Sequence, residues 1–216
     1  MRLNVKFKEI DKTFTTNFGE VHNISDGGYE RGYEAGYTEG GEDGYTKGHT
    51  DGQTDGLESL FLKTIKSFSS NNVTFVENST FLNCTELEEL NLPNLKSVPT
   101  SMCQNCSKLK RIVLPNLTGS IGTSAFHTCR SLEYADIGAA TNLGAAGFYM
   151  CTPLATLIIR GPVVIPMINS NALYGTRIAN KAGYIYVRDD LVEQYKVATY
   201  WSTLATQIKP LSELEG

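Results

Sequence analysis

The sequence predicts an α/β repeat solenoid built on short parallel strands, and three observations carry that expectation. First, one phrase is written four times between Phe81 and Ile159. It reads Phe81-x-x-Cys84-x-x-Leu87-x-x-Leu90-x-Leu92, then Cys103-x-x-Cys106-x-x-Leu109-x-x-Ile112-x-Leu114, then Phe126-x-x-Cys129-x-x-Leu132-x-x-Ala135-x-Ile137, then Phe148-x-x-Cys151-x-x-Leu154-x-x-Leu157-x-Ile159. Second, the interval is about 22 residues, which leaves room for a strand and a return segment but not for a pair of helices. Third, each copy ends in the two-residue apolar period of a strand. One repeat buries apolar side chains worth roughly 10 kcal/mol, while ordering its backbone costs at least about 20. No repeat can therefore fold alone, and neighbours must share their layers.

Upstream, residues 1–26 read as a β-rich anchor. Leu3, Val5 and Phe7 alternate, Asp11-Lys12 can turn, and Phe14, Thr16 and Phe18 resume the alternation. A lone hairpin is marginal in water, so this one is expected to pair within a larger assembly. Residues 27–56 carry glycine at Gly28, Gly32, Gly36, Gly40, Gly44, Gly48, Gly52 and Gly56, with Tyr29, Tyr33, Tyr37 and Tyr45 each following one of them. On a helix a four-residue period drifts about 40° per step, so the glycine stripe winds as a right-handed spiral. Glycines in that number cost a helix about 7 kcal/mol against alanine, which excludes a solitary solvated helix. Either several chains pack along the glycine groove or the segment is a flexible tether. The strict period, which a linker does not need, favours an oligomeric helical stalk of about 43 Å.

Leu57, Leu60, Phe61, Ile65 and Phe68 then give one apolar helical face, and Ser69-Ser70-Asn71-Asn72 breaks it. Residues 57–72 are read as a capping helix and turn that close the N-terminal end of an array over 73–187. After Pro162 the phrase decays, and Tyr184-Ile185-Tyr186-Val187 is read as a last strand. Residues 188–216 are expected to form a helical cap. Asp189 or Asp190 would cap a helix carrying Leu191, Val192, Tyr195 and Ala198, and Trp201 would plug the final repeat.

Composition sets the outer limits. The chain has 216 residues, a hydrophobic content of 41% and a formal charge of -4. That charge argues against nucleic acid as a general partner, and no run of residues suits a membrane span. The opening Met1 to Lys8 alternates polar and apolar residues, so no secretory signal is visible and export by that route is not expected. The cysteines are odd in number, and Cys84, Cys106, Cys129 and Cys151 share one repeat position, which predicts a buried column of thiols. Cys103-x-x-Cys106 is half a zinc site without its second pair. His22, His49 and His127 are scattered and no serine or cysteine sits in a nucleophile motif, so no enzyme, metal or cofactor is implied.

Between the inward strand residues lie three outward columns: Glu88, Lys110, Glu133 and Ala155; Glu89, Arg111, Tyr134 and Thr156; Asn91, Val113, Asp136 and Ile158. Parallel strands about 4.8 Å apart let opposite charges in the first two columns pair. The simpler reading is a solvated salt-bridge ladder. The sharper one is a ligand face, with Glu89, Arg111, Tyr134, Asn91 and Asp136 as its candidates.

The repeated phrase resembles that of the BspA-like bacterial leucine-rich repeats over about residues 73–187. Leu92-Pro93 and Leu114-Pro115 match the ending of that motif, whereas Ile137-Gly138 and Ile159-Arg160 lack its proline and Ala135 replaces a larger residue. The tail, through Trp201 and Gln207 to Leu211, is similar to the usual ending of such proteins. The resemblance implies a leucine-rich-repeat solenoid that presents a surface for adhesion, not a catalyst. The opening Lys6-Phe7-Lys8-Glu9 and Phe18-Gly19-Glu20-Val21, followed by the Gly-Tyr tetrads, resembles the N-terminal part of small virion proteins of tailed bacteriophages of Gram-positive hosts. That likeness implies a tail or baseplate appendage, located on the virion and acting outside the cell. The anchor would meet other virion proteins, the stalk would self-associate, as a trimer, and the solenoid would face a host-surface protein or glycan. A bacterial cell-surface adhesin and a purely structural virion protein remain open beside it.

Overall fold

The computed structural model describes residues 64–215. The expected β anchor, the glycine-tyrosine stalk and most of the expected capping helix, residues 1–63, lie outside the described residues. Among the described residues seven strands form one parallel sheet in chain order: β1 (Ser67–Ser69), β2 (Glu89–Asn91), β3 (Arg111–Val113), β4 (Tyr134–Asp136), β5 (Thr156–Ile159), β6 (Tyr184–Val187) and β7 (Ile208–Pro210). Register is kept from edge to edge, so Phe68, Leu90, Ile112, Ala135, Leu157, Ile185 and Ile208 form one inward column. A second parallel ladder joins Val98, Ile121, Leu143 and Met167. This is the leucine-rich-repeat solenoid that the periodicity predicts.

The Phe-x-x-Cys part of each phrase is a tight turn. The cysteine N–H donates to the phenylalanine carbonyl at 3.2 Å in the turns of Cys84, Cys129 and Cys151, and the Cys103–Cys106 turn closes in the same way. The residues two before and two after the first position lie in the left-handed region: Ser79, Ser101, Ser124 and Ala146 on one side, Asn83, Asn105, Thr128 and Met150 on the other, with φ between 54 and 63°. Such a backbone costs a non-glycine residue energy, and it persists here because the next repeat bonds to it directly. Ser79 N–H reaches Thr100 O at 3.0 Å and Asn83 N–H reaches Gln104 O at 2.9 Å, and the later repeats follow suit. Asn105 Nδ2 adds a bond to Asn83 Oδ1 at 2.8 Å, and Thr128 Oγ1 donates in turn to Asn105 Oδ1.

All five cysteines are reduced and buried. Their column has a specific bonding pattern, because the thiols of Cys106, Cys129 and Cys151 donate back to the turn of the preceding repeat. Cys106 Sγ is 3.0 Å from Phe81 O, Cys129 Sγ 3.0 Å from Cys103 O, and Cys151 Sγ 2.9 Å from Phe126 O. Beside them Phe126 and Phe148 stack at 5.1 Å. Thr176 continues the column after the last cysteine; it is fully buried and its hydroxyl donates to Leu173 O at 2.7 Å.

Three expectations change. The span to Phe68 is not helical to its end, because Ser67–Ser69 is a strand and Phe68 pairs with Leu90. Ile65-x-x-Phe68-x-Ser70 is a degenerate copy of Leu87-x-x-Leu90-x-Leu92, and its three-residue step suits a helical face equally well. Tyr184–Val187 is not the last strand, since β7 pairs beyond it. Neither Asp189 nor Asp190 caps the helix that carries Leu191 to Tyr195: Asp189 Oδ1 accepts Ser212 N–H at 3.2 Å, Asp190 pairs with Arg188 at 3.0 Å, and a 3-10 turn leads into α1 (Val192–Val197). The short helix α2 (Ser212–Glu215) follows β7. Trp201 is fully buried; its Nε1–H donates to Ile165 O at 2.7 Å and its ring meets the edge of Tyr195 at 5.3 Å.

Candidate functional site

With the core residues committed inward, any site on the array must use the outward strand positions or the turns. The sheet register aligns Ser67, Glu89, Arg111, Tyr134, Thr156 and Tyr184 in one outward row. A second row begins with Ser69 and Asn91 and ends with Asp136, Ile158, Tyr186 and Lys209.

At the centre of the first row the Arg111 guanidinium carbon lies 3.9 Å from the centroid of Tyr134. This cation–π contact flattens a long side chain onto the sheet and presents a broad aromatic and cationic surface to solvent. Tyr134 is half-buried, and its phenol is pushed up first by burial, then by the charge of Asp136, against the pull of Arg111. Glu89 and Asn91 are exposed, and Asn91 Nδ2 donates to Ser69 Oγ at 3.1 Å.

Asp136 corrects the sequence reading. It was expected to be available on the face, yet it is 3% exposed and both carboxylate oxygens are occupied. Oδ1 accepts Gly138 N–H at 3.0 Å, and Oδ2 accepts Arg160 Nε at 2.9 Å. The cause lies at the missing prolines. Gly138 turns with φ +51°, where a Cβ would stand 2.5 Å from Leu114 O, and Asp136 fixes that turn through its own side chain. Ile158, in the same outward row, is likewise buried. Asp136→Ala is expected to cost about 2 kcal/mol, since it orphans the buried Gly138 N–H. Asp136→Asn, which retains that acceptor, should lose about half as much, read as the shift in urea midpoint.

Of the expected ladder one pair forms, Lys110 with Glu88, and a second pair outside the named columns lies beside it. Lys110 bonds Glu88 at 3.1 Å and Lys108 bonds Glu86 at 2.6 Å. Lys110 holds the Glu88 carboxyl below the usual carboxylate range, and Glu86 raises Lys108. In the second column the Arg111 guanidinium instead covers the neighbouring aromatic ring.

Sequence reasoning missed the far end of the face. Tyr184 is 46% exposed, its ring centroid lies 6.3 Å from that of Tyr186, and Lys209 Nζ stands 5.8 Å from it. Extending the register from Leu157 to Ile185 would have placed both tyrosines. Also missed were the stacked rings of His127, Tyr149 and Tyr174 on the turns. Each follows the first position of its turn, a column that becomes aromatic only in the later repeats. The stalk residues Gly28 to Gly56 and Tyr29 to Tyr45 lie outside the described residues. Among the described residues no group of three or more metal-ligating side chains comes together, and no helix is long and apolar enough to cross a membrane.

Residues 59–182 match the profile of the BspA type leucine rich repeat region in six copies. No curated protein matches the sequence. A leucine-rich repeat protein from Bacteroides ovatus ATCC 8483, known from its crystal structure, is similar over 58% of this chain at 21% identity with a TM-score of 0.34. The match covers 40% of that protein's length.

Proposed function

The chain belongs to the BspA-type leucine-rich repeat family, and from that premise we propose that it is a non-enzymatic binding module whose outward strand face takes a protein partner. The observation that carries this reading is Arg111 laid on Tyr134 in the middle of the face. Tyrosine and arginine are the side chains that concentrate binding energy at interfaces, and here both are held before a partner arrives. Asp136 and Arg160 stiffen the backbone beside them.

The finer part of the proposal concerns where the module works. The resemblance of the opening segment and Gly-Tyr tetrads to phage virion proteins supports a tail or baseplate appendage. In this reading the N-terminal segment joins chains into a trimer, other virion proteins hold it, and the array attaches to the host surface. The module would then be located on the virion. A cell-surface adhesin and a purely structural virion protein are the competing assignments.

Adsorption of the labelled full-length chain to host cells tests the face, and immunogold labelling of purified virions tests the mounting. Arg111→Glu combined with Tyr134→Ala should lower adsorption about tenfold or more. Unchanged adsorption would remove the strand face from this role. Gold on the producing cell envelope and not on virions would select the cell-surface adhesin. Gold on virions without adsorption by the wild-type chain would select the structural protein.

A further inference from the structure

The turns carry a feature that the strand face does not use. His127, Tyr149 and Tyr174 stack ring on ring, with centroids 4.9 and 5.2 Å apart and planes within 10° and 18° of parallel. Among the described residues the stack ends at Tyr174, which is 55% exposed. Tyr149 covers one face of that ring, and among the described residues no further aromatic ring stacks on it.

The ring is well anchored. Tyr174 N–H donates to Asn171 O at 3.2 Å, and its carbonyl accepts Met150 N–H at 2.8 Å. Gly175 follows with φ +78°, packed so closely that a Cβ there would meet Met150 Sδ at 2.5 Å. A ring held from behind and through its backbone loses little freedom when something settles on it.

The immediate surroundings narrow what that something is. Ala172 and Leu173 turn into the core, whereas Ser170, Asn171 and Arg177 are exposed. Asn169 Oδ1 is taken by Asn171 N–H at 3.0 Å, which leaves the amide groups of both side chains to serve as donors. A protein anchor prefers an aromatic residue within a desolvated, well-packed pocket. An exposed aromatic ring with exposed polar residues close to it in the chain suits a pyranose ring, whose C–H face is apolar and weakly positive and whose hydroxyls project to the sides.

We propose that Tyr174, seated on Tyr149 and His127, is a stacking platform for a pyranose unit of an oligosaccharide, separate from the strand face. Saturation-transfer NMR on the full chain tests it, with cellotriose, maltotriose, mannotriose and tri-N-acetylchitotriose as probes at about 5 mM, a concentration suited to weak ligands. Transfer to the ring C–H protons of at least one probe is expected. It should disappear in Tyr174→Ala, persist in Tyr174→Phe, and be unaffected by Arg111→Ala. Because Tyr174 is exposed, the alanine variant should melt with the wild type, and the phenylalanine variant separates stacking from any loss of fold. No transfer from any of the four probes would overturn the proposal, as would transfer that survives Tyr174→Ala. Cell adsorption that needs Tyr174 but is abolished by protease treatment of the cells would assign the ring to a protein partner and overturn it as well.

Discussion

Trp201→Ala is expected to cost about 5 kcal/mol. Truncating a buried tryptophan costs roughly 3–5 kcal/mol through lost burial and the hole left behind. Here the loss is larger because the indole N–H is the donor to Ile165 O at 2.7 Å, and Ile165 is itself fully buried. A buried carbonyl without its donor adds about 1 kcal/mol or more. Trp201→Phe refills part of the volume but not the bond, and should cost about 2 kcal/mol. Position makes the effect visible in a second way. In a stack of repeats each layer is held by its neighbours, so damage at a closing layer exposes the one beneath it. Urea unfolding followed by far-ultraviolet circular dichroism and by tyrosine fluorescence should give coincident curves for the wild type and separated curves for Trp201→Ala. Coincident curves with a loss below about 2 kcal/mol would mean that the tryptophan covers the surface without closing it.

The inward half of the fold was legible because it obeys a fixed spacing. Every apolar position of the four phrases, from Phe81 to Ile159, is buried, since each repeat can bury that side only by stacking on the next. Legibility failed where spacing is ambiguous or where side chains choose among partners. Ile65 and Phe68 fit both a helical face and a strand approach, and only the register with Leu90 decides between them. Asp136 occupies an outward strand position, yet the proline missing at Gly138 leaves a turn that recruits its carboxylate. The face was read from four repeats, so Tyr184 and Lys209, contributed by strands outside the repeated phrase, escaped notice. The stacked rings of Tyr149 and Tyr174 escaped for a different reason, because ring planes are set by neighbouring turns and leave no periodic trace in one sequence.

The cysteine column predicts a steep loss of stability in alkali. Cys106 is pushed far above the ordinary thiol range, first by the neighbouring Cys103 thiol and further by burial; Cys129 is raised by burial and then by Cys151. Both side chains are fully buried, and each S–H is already spent on a carbonyl of the preceding repeat. In the unfolded chain the same thiols titrate near pH 8.5. Their folded values are raised, so their contribution is complete below about pH 8.5 and declines as the pH climbs from there toward the folded values. Over that window the unfolded state has released protons that the folded state retains, and each thiol removes about 1.4 kcal/mol of stability per pH unit. Where both are deprotonated only in the unfolded chain, together they give a slope of about 3 kcal/mol per unit. Tyr195, whose phenol is also raised by burial, joins only above about pH 10, so urea midpoints between about pH 8 and 10 isolate the thiols. Replacing Cys106 and Cys129 by alanine should lower stability at neutral pH and flatten the alkaline slope, two effects that a merely space-filling role would not combine. A wild-type midpoint that stays level across that window would show that the column yields its protons without unfolding.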